Sequence, residues 1–205
     1  MKDTFFRLSK DKQLNLVNAC KSRFAENTYD NISLNSIIEK ANISKGGLFK
    51  YIDDKKDLYT YIINLIMKEL IEYQAENIDL KVKCYFDRIK SSLSYGFNYY
   101  KNHELEFHII MNAFYDISSP CYEDVIKIRE NNINLYQYNL LEGIDWSLYK
   151  ESQENILKFS KYTIDGYNIS LMKKIKIYKA VNELESIMTE DIDLIINVLK
   201  KGMKG

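Results

Sequence analysis

Apolar residues recur at helical spacing along almost the whole chain, and this pattern predicts an all-α protein. One proline and seven glycines in 205 residues are too few for the many tight turns of a β-rich fold. No glycine- or serine-rich linker and no internal repeat interrupts the pattern. The predicted helices cover residues 10–26, 34–41, 44–52, 54–76, 79–101, 103–114, 120–143, 147–173 and 186–201.

The second and third predicted helices are short and are separated by a tight turn. Ser33 and Ser44 are residues that commonly cap the first turn of a helix. Asn42 tolerates a left-handed backbone conformation, so it can end the first of the two helices. Leu48 and Ile52 lie four residues apart and are expected to face inward. These features predict two helices joined at a fixed angle.

Gly46 and Gly47 stand inside the second of these short helices. Two such glycines cost about 2 kcal/mol relative to alanines, and a local inconsistency of this kind is expected at functional sites. On a helical wheel they lie with Lys50 opposite Leu48 and Ile52, which leaves bare backbone beside a lysine on the outside. Such a surface suits a DNA groove. The alternative is a strained connector with solvated lysines, but the spacing of caps and turn favours a helix-turn-helix.

A longer motif surrounds these two helices. Its members are Phe24-Ala25-Glu26, Tyr29, Ser33-Leu34, Ile37-Ile38, Ala41-Asn42-Ile43-Ser44-Lys45-Gly46-Gly47-Leu48-Phe49, Lys55 and Asp57-Leu58-Tyr59. In order and spacing, these residues resemble the DNA-binding domain of TetR-family transcriptional regulators, over about residues 9–60. The resemblance implies a three-helix DNA-binding domain at residues 1–60, fused to a larger helical ligand-binding and dimerisation domain at residues 61–205. It also implies a homodimer in which the last two long helices form a four-helix bundle with those of a second subunit.

Four residues depart from the family pattern. Asn42 stands where the family usually has a turn glycine, and Thr28 replaces another common glycine. Ile52 replaces a usual phenylalanine. Phe49 replaces the usual tyrosine, which removes a hydroxyl that can reach a phosphate. The expected fold is unaffected, whereas the DNA contact at Phe49 changes in character.

Nine residues are predicted to contact DNA. Those expected in the major groove or at its edges are Lys45, Gly46, Gly47, Phe49, Lys50 and Tyr51. Those expected to hold flanking phosphates and fix the register are Ser33, Ser44 and Lys55.

The charge distribution supports a DNA-binding end only modestly. The formal net charge of the chain is zero, but residues 1–60 carry +3 and residues 61–205 carry −3. Affinity for DNA is therefore expected to depend on geometry and on two copies bound to a palindromic operator. The N-terminal stretch lacks an apolar signal core, and no apolar run approaches a membrane span, so a cytoplasmic protein is expected.

No catalytic or metal-binding pattern stands out in the sequence. His103 and His108 are five residues apart, which places them on different faces of a helix. The cysteines Cys20, Cys84 and Cys121 have neither zinc-finger nor redox spacing and are expected to be reduced and buried. There is no phosphate-binding loop, dinucleotide fingerprint or nucleophile elbow, so no cofactor is expected.

An effector pocket is predicted between the helices of the larger domain. Its candidate wall residues are Phe86, Ile89, Phe107, Ile110, Met111, Phe114 and Tyr136. A largely apolar wall with a few polar groups predicts a small amphipathic or aromatic effector. The simpler interpretation, that these residues only fill the core, stays open for each of them.

Together these features predict a sequence-specific DNA-binding regulator, most simply a repressor released from its operator by a small molecule. Two alternatives remain at this point. One is a helical enzyme that acts on a small molecule in the larger domain. The other is a DNA-binding protein that takes no ligand and has a structural role.

Overall fold

The computed structural model describes residues 1–175 and 181–204, and regular structure in these ranges is helical, with no strand beyond one isolated bridge. The all-α prediction is confirmed. Short 3₁₀ turns lie at Tyr29–Asn31 and Trp146–Leu148. The α-helices of the described ranges are α1 (Asp3–Phe6), α2 (Lys10–Glu26), α3 (Leu34–Ala41), α4 (Lys45–Leu48), α5 (Lys55–Asn77), α6 (Tyr85–Asn102), α7 (Glu104–Tyr115), α8 (Tyr122–Leu141), α9 (Gln153–Ile175) and α10 (Val181–Met203).

Several helix bounds differ from the predicted ones. The helix α1 was not predicted, α9 begins at Gln153 rather than 147, and α10 begins at Val181 rather than 186. Pro120, expected in the first turn of α8, lies two residues before it, in the turn that leads into the helix. The bounds of α2 and α3, which have clear end signals in the sequence, agree with the prediction.

The chain divides into two compact units, which do not follow the predicted boundary at residue 60. The first unit combines Met1–Glu69 with His103–Asn134, and the second combines Leu70–Asn102 with Leu135–Gly205. These units describe packing rather than function, so the division into a DNA-binding part and an effector part stays a prediction.

In the first unit, α2 packs against α3 and α7. Asn15 on α2 donates a hydrogen bond to the carbonyl of Ala41 at 2.7 Å, which satisfies a carbonyl at the end of α3. Lys21 on the same helix is buried and forms ion pairs with Glu69 at 3.2 Å and with Glu106 at 2.9 Å. A helix-end hydrogen bond and a partly buried charge cluster therefore hold α2 in the first unit.

In the second unit, the guanidinium of Arg88 explains why α6 begins at residue 85 rather than 79. The side chain is 1% exposed and donates to the carbonyls of Leu80, Val82, Leu140 and Glu142. Leu80 and Val82 therefore offer their carbonyls to a side chain instead of continuing a helix. All five N–H groups of the guanidinium are occupied, so it ties this loop to the end of α8.

Candidate nucleic-acid interface

The turn between α3 and α4 has the geometry that the sequence predicts. Asn42 adopts the left-handed conformation with φ 52° and ψ 50°, and its amide donates to carbonyls of the last turn of α3. The side chain of Ser44 accepts a hydrogen bond from the amide of Gly47 at 3.0 Å and so caps α4. Leu48 and Ile52 are fully buried, as predicted. Local sequence signals thus fix the angle between the two helices.

The second helix is shorter than predicted. The prediction covers residues 44–52, whereas α4 ends at Leu48 and the chain after it forms a tight turn. In that turn the amide of Lys50 donates to Gly47 and the amide of Tyr51 to Leu48, three residues back rather than four. We call residues 45–51, the helix with its turn, the α4 segment.

The two glycines of the α4 segment have different structural roles. A Cβ atom on Gly47 would lie 3.1 Å from Oγ of Ser44, the atom that caps the helix. A Cβ atom on Gly46 would meet nothing within 4 Å. The cap therefore favours glycine at position 47, whereas the fold has room for a side chain at position 46.

The predicted DNA-contacting residues are accessible at the surface. Phe49 is 38% exposed, a high value for a phenylalanine side chain. The exposed members of the set are Ser33, Ser44, Lys45, Gly46, Phe49 and Lys50, and the half-buried members are Gly47, Tyr51 and Lys55. Six of the nine therefore lie on the α4 segment itself, and their DNA contacts stay predictions.

Ser33 and Lys55 make different contacts from those expected. Ser33 is the N-cap residue of α3, as predicted, but its side chain makes no capping hydrogen bond, and its carbonyl accepts from the hydroxyl of Ser36. The ammonium of Lys55 donates to the carbonyls of Tyr29 at 2.9 Å and Ile32 at 3.2 Å, and lies 4.3 Å from the centre of the Tyr29 ring. Lys55 thus holds the loop before α3, and its phosphate contact stays a prediction.

Helix α1 and the residue before it contact the α4 segment, and neither is among the predicted site residues. Phe5 is fully buried, with its ring edge-on to those of Tyr51 and Tyr61 at centroid distances of 6.4 and 5.6 Å. Lys2 and Thr4 donate hydrogen bonds to the backbone of the α4 segment. The adjacent pair Phe5-Phe6 in a polar stretch was the only local signal for this anchor.

The predicted effector residues are divided between the two compact units. Phe86, Ile89 and Tyr136 are buried in the second unit, where the Tyr136 hydroxyl donates to Ser92 Oγ at 2.8 Å. In the first unit, Phe114 is half-buried under the guanidinium of Arg129, 5.4 Å from the ring centre. The remaining members, buried in the first unit, are Phe107, Ile110 and Met111.

Two grooves lie on the described part of the chain, and none of these seven residues lines either of them. One, of about 520 Å³, lies in the first unit beside the ion pair of Lys56 and Asp124. The hydrogen bond that the Lys56 ammonium donates to the Asp124 carboxylate raises the pKa of Lys56. The other, of about 210 Å³, lies in the second unit between α6 and α10. The effector site therefore stays a prediction.

The remaining candidate chemistry is sparse in the described ranges. His103 and His108 are exposed, and no group of three or more potential ligands there could hold a metal ion. All three cysteines are buried and free, as predicted, and burial raises the pKa of Cys20 to about 12. None of the helices in these ranges has the length and apolarity needed to cross a membrane.

An all-α chain with an N-terminal helix-turn-helix is a class that includes many DNA-binding proteins. The sequence matches no protein-family model and no curated protein, so the comparison rests on solved structures. A TetR-family transcriptional regulator from Chloroflexus aurantiacus J-10-FL aligns over 100% of this chain and 98% of its own, with a TM-score of 0.70 and 23% identity. A TetR-family regulator from Streptomyces coelicolor aligns over 95% and 88%, with a TM-score of 0.62 and 14% identity.

A third similar structure is the transcriptional regulator FadR from Bacillus subtilis in complex with stearoyl-CoA. It covers 92% of this chain and 98% of its own, with a TM-score of 0.63 and 14% identity. The protein has the fold of TetR-family transcriptional regulators.

Proposed function

We propose that this protein is a sequence-specific DNA-binding transcriptional regulator. The observation that carries the proposal is the exposed α4 segment, in which Gly46 offers bare backbone between Lys45 and Lys50. A glycine that the fold does not require costs about 1 kcal/mol in a helix, so it indicates that another molecule comes close there. The +3 charge of residues 1–60 favours a polyanion as that molecule.

The proposed regulator acts as a homodimer. Exposed apolar side chains on α9 and α10 support this, because monomeric soluble proteins rarely expose large contiguous apolar patches. On α9, Phe159, Tyr162 and Ile169 are 54%, 62% and 49% exposed, and on α10, Leu194 and Val198 are 64% and 60% exposed. We call these five residues the α9–α10 face. Their spacing of three, four or seven residues places them along one stripe of each helix.

A second feature of these helices supports the same proposal. Gly166 on α9 and Gly202 on α10 each have room for a Cβ atom that would meet nothing within 4 Å. Small residues at exposed positions allow two helix backbones to approach closely. A four-helix bundle formed with a second copy would cover both the glycines and the α9–α10 face.

The finer part of the proposal is repression that a small amphipathic or aromatic molecule relieves. The similar FadR structure from Bacillus subtilis contains stearoyl-CoA, a molecule with a long apolar chain and a polar head. An effector of this class needs a coupling of only about 1–3 kcal/mol between its site and the DNA site. Thermal unfolding and DNA binding measured with and without acyl-chain and aromatic compounds test this part; absence of any shift would favour the ligand-free alternative.

Selection of bound fragments from a pool of random DNA tests the main proposal. We expect enrichment of a palindrome whose half-site centres lie 10–10.5 base pairs apart, or a multiple of that distance. Enrichment of a single half-site would contradict the dimer, and no enrichment at any salt concentration would contradict sequence-specific binding. Turnover of a small molecule by a protein without DNA affinity would instead support the enzyme alternative.

A further inference from the structure

Residues 2–4 bind three consecutive backbone carbonyls of the α4 segment. The amide of Lys2 donates to the carbonyl of Tyr51 at 2.8 Å, and its ammonium donates to the carbonyl of Phe49 at 3.2 Å. The hydroxyl of Thr4 donates to the carbonyl of Lys50, which lies between them. The ammonium of Lys2 also pairs with Asp53 at 2.8 Å.

These are the last three carbonyls of the α4 segment, in the turn that follows the end of α4 at Leu48. The last carbonyls of a helix have no amide four residues ahead to bind them, and a buried or crowded end needs another donor. A lysine ammonium at a helix C-terminus also interacts favourably with the negative end of the helix dipole. Lys2 and Thr4 therefore act as a cap on the C-terminal turn of the α4 segment, supplied from a part of the chain more than 40 residues away.

The burial of Phe5 in the core holds this cap in place. Phe5 follows Thr4 directly and is 0% exposed, with its ring against Tyr51 and Tyr61. Because Phe5 fixes α1 in the core, the donors of Lys2 and Thr4 cannot drift away from the α4 segment without exposing an apolar ring. The orientation of the side chains at Phe49 and Lys50 thus depends on hydrogen bonds from outside the helix-turn-helix.

We propose that Lys2 and Thr4 are positioning residues that set the DNA sequence preference of the α4 segment. This inference rests on the proposed DNA-binding function and adds the mechanism that fixes its geometry. Base discrimination requires side chains held at the groove in one orientation, whereas attraction to phosphates does not. Loss of the cap therefore reduces discrimination between sequences and leaves non-specific binding unchanged.

The test uses the full-length chain with Lys2→Met and Thr4→Val, which are similar in size and remove the side-chain donors to Phe49 and Lys50, while the amide of residue 2 stays. Thr4→Ser retains the hydroxyl and serves as the conservative variant. Lys10→Met, at an exposed position of α2, removes one charge without touching the cap. Affinities for the selected operator and for a scrambled duplex are measured over a range of salt concentrations, together with thermal unfolding.

We expect Lys2→Met and Thr4→Val to lower operator affinity about tenfold, since one misread base pair typically costs about 1–3 kcal/mol. For Lys2→Met, affinity for the scrambled duplex and the salt slope should equal those of Lys10→Met, which loses the same charge. For Thr4→Val, both quantities should equal those of wild type. Thr4→Ser should restore wild-type discrimination. Unchanged operator affinity, or an equal loss on both duplexes, would overturn the inference. Failure of the wild type to select any operator would instead overturn the proposed function.

Discussion

Two surfaces of this molecule both expose bare glycine backbone, but the side chains around that backbone differ. The α4 segment in the first unit and the helices α9 and α10 in the second each carry a glycine beside which a side chain would meet nothing. Around Gly46 the exposed neighbours are Lys45 and Lys50, whereas Gly166 shares its helix with exposed Phe159 and Tyr162. Bare backbone indicates that a partner molecule approaches closely. The neighbouring side chains, charged at one surface and apolar at the other, indicate the chemistry of that partner.

The backbone conformation at Gly46 and Gly166 does not require glycine. Gly143 has φ +66°, a conformation that strongly favours glycine, but Gly46 and Gly166 lie within helices outside that region. A helical glycine costs about 1 kcal/mol relative to alanine. The comparison therefore predicts two partners of opposite chemistry, a polyanion at the first surface and an apolar helix pair at the second.

The largest effect is expected from Gly46→Val. Two methyl groups on the exposed backbone should prevent close approach to the groove and lower operator affinity more than about 100-fold, equivalent to about 2.7 kcal/mol. Operator binding measured by fluorescence anisotropy tests this expectation, and sedimentation should still give a folded dimer. Asn18→Val, at an exposed position of α2, controls for the β-branched side chain. Operator binding within a few-fold of wild type would show that the bare backbone is unimportant.

The next effect is expected from Leu194→Glu on the α9–α10 face. A carboxylate placed in an apolar helix pair must be desolvated, which strongly disfavours the dimer. Sedimentation equilibrium should show monomers at concentrations at which wild type is dimeric, and operator affinity should fall with the loss of the second copy. Asn139→Glu adds the same charge at an exposed polar position of α8, away from this face, and should leave the dimer intact. A dimeric Leu194→Glu variant would remove this face as the interface.

The first surface could be predicted from sequence because its signals are local. Asn42 and Ser44 specify the turn and cap within three residues of the backbone that they control. The turn that ends the α4 segment could not be predicted, because the carbonyls of Phe49 and Lys50 accept hydrogen bonds from Lys2 and Thr4, far away in the chain. The same holds for Lys55, whose ammonium binds a loop more than 20 residues earlier.

The second surface could be predicted only in outline. The helical spacing of apolar residues in α9 and α10 was evident, but each helix is apolar on more than one side. Periodicity cannot tell which apolar side chain is covered within the chain, such as Ile156 or Leu199, and which is left exposed, such as Leu194. That distinction depends on the packing of distant helices, which no local pattern encodes.

A smaller effect is expected from Lys55→Ala, which tests how far the first surface extends. We expect weaker binding to operator and random DNA alike, with a salt slope shallower by about one. The alanine also removes the donor to Tyr29 and Ile32, so its thermal unfolding is measured in parallel. Lys56→Ala is the matched control, because that lysine pairs with Asp124. An unchanged slope would confine Lys55 to holding the loop before α3.

The smallest effect distinguishes a glycine kept for a partner from one kept for the fold. Gly46→Ala should stabilise the protein against urea by up to about 1 kcal/mol, since its methyl group meets nothing and alanine favours a helix. Gly47→Ala should gain less or lose stability, because its methyl group would lie 3.1 Å from the capping oxygen of Ser44. If Gly46→Ala also weakens operator binding, then the same added Cβ atom raises the free energy of unfolding and lowers the affinity for DNA. A destabilised Gly46→Ala variant would mean that position 46 serves the fold, and the first surface would then lose its strongest argument for a partner.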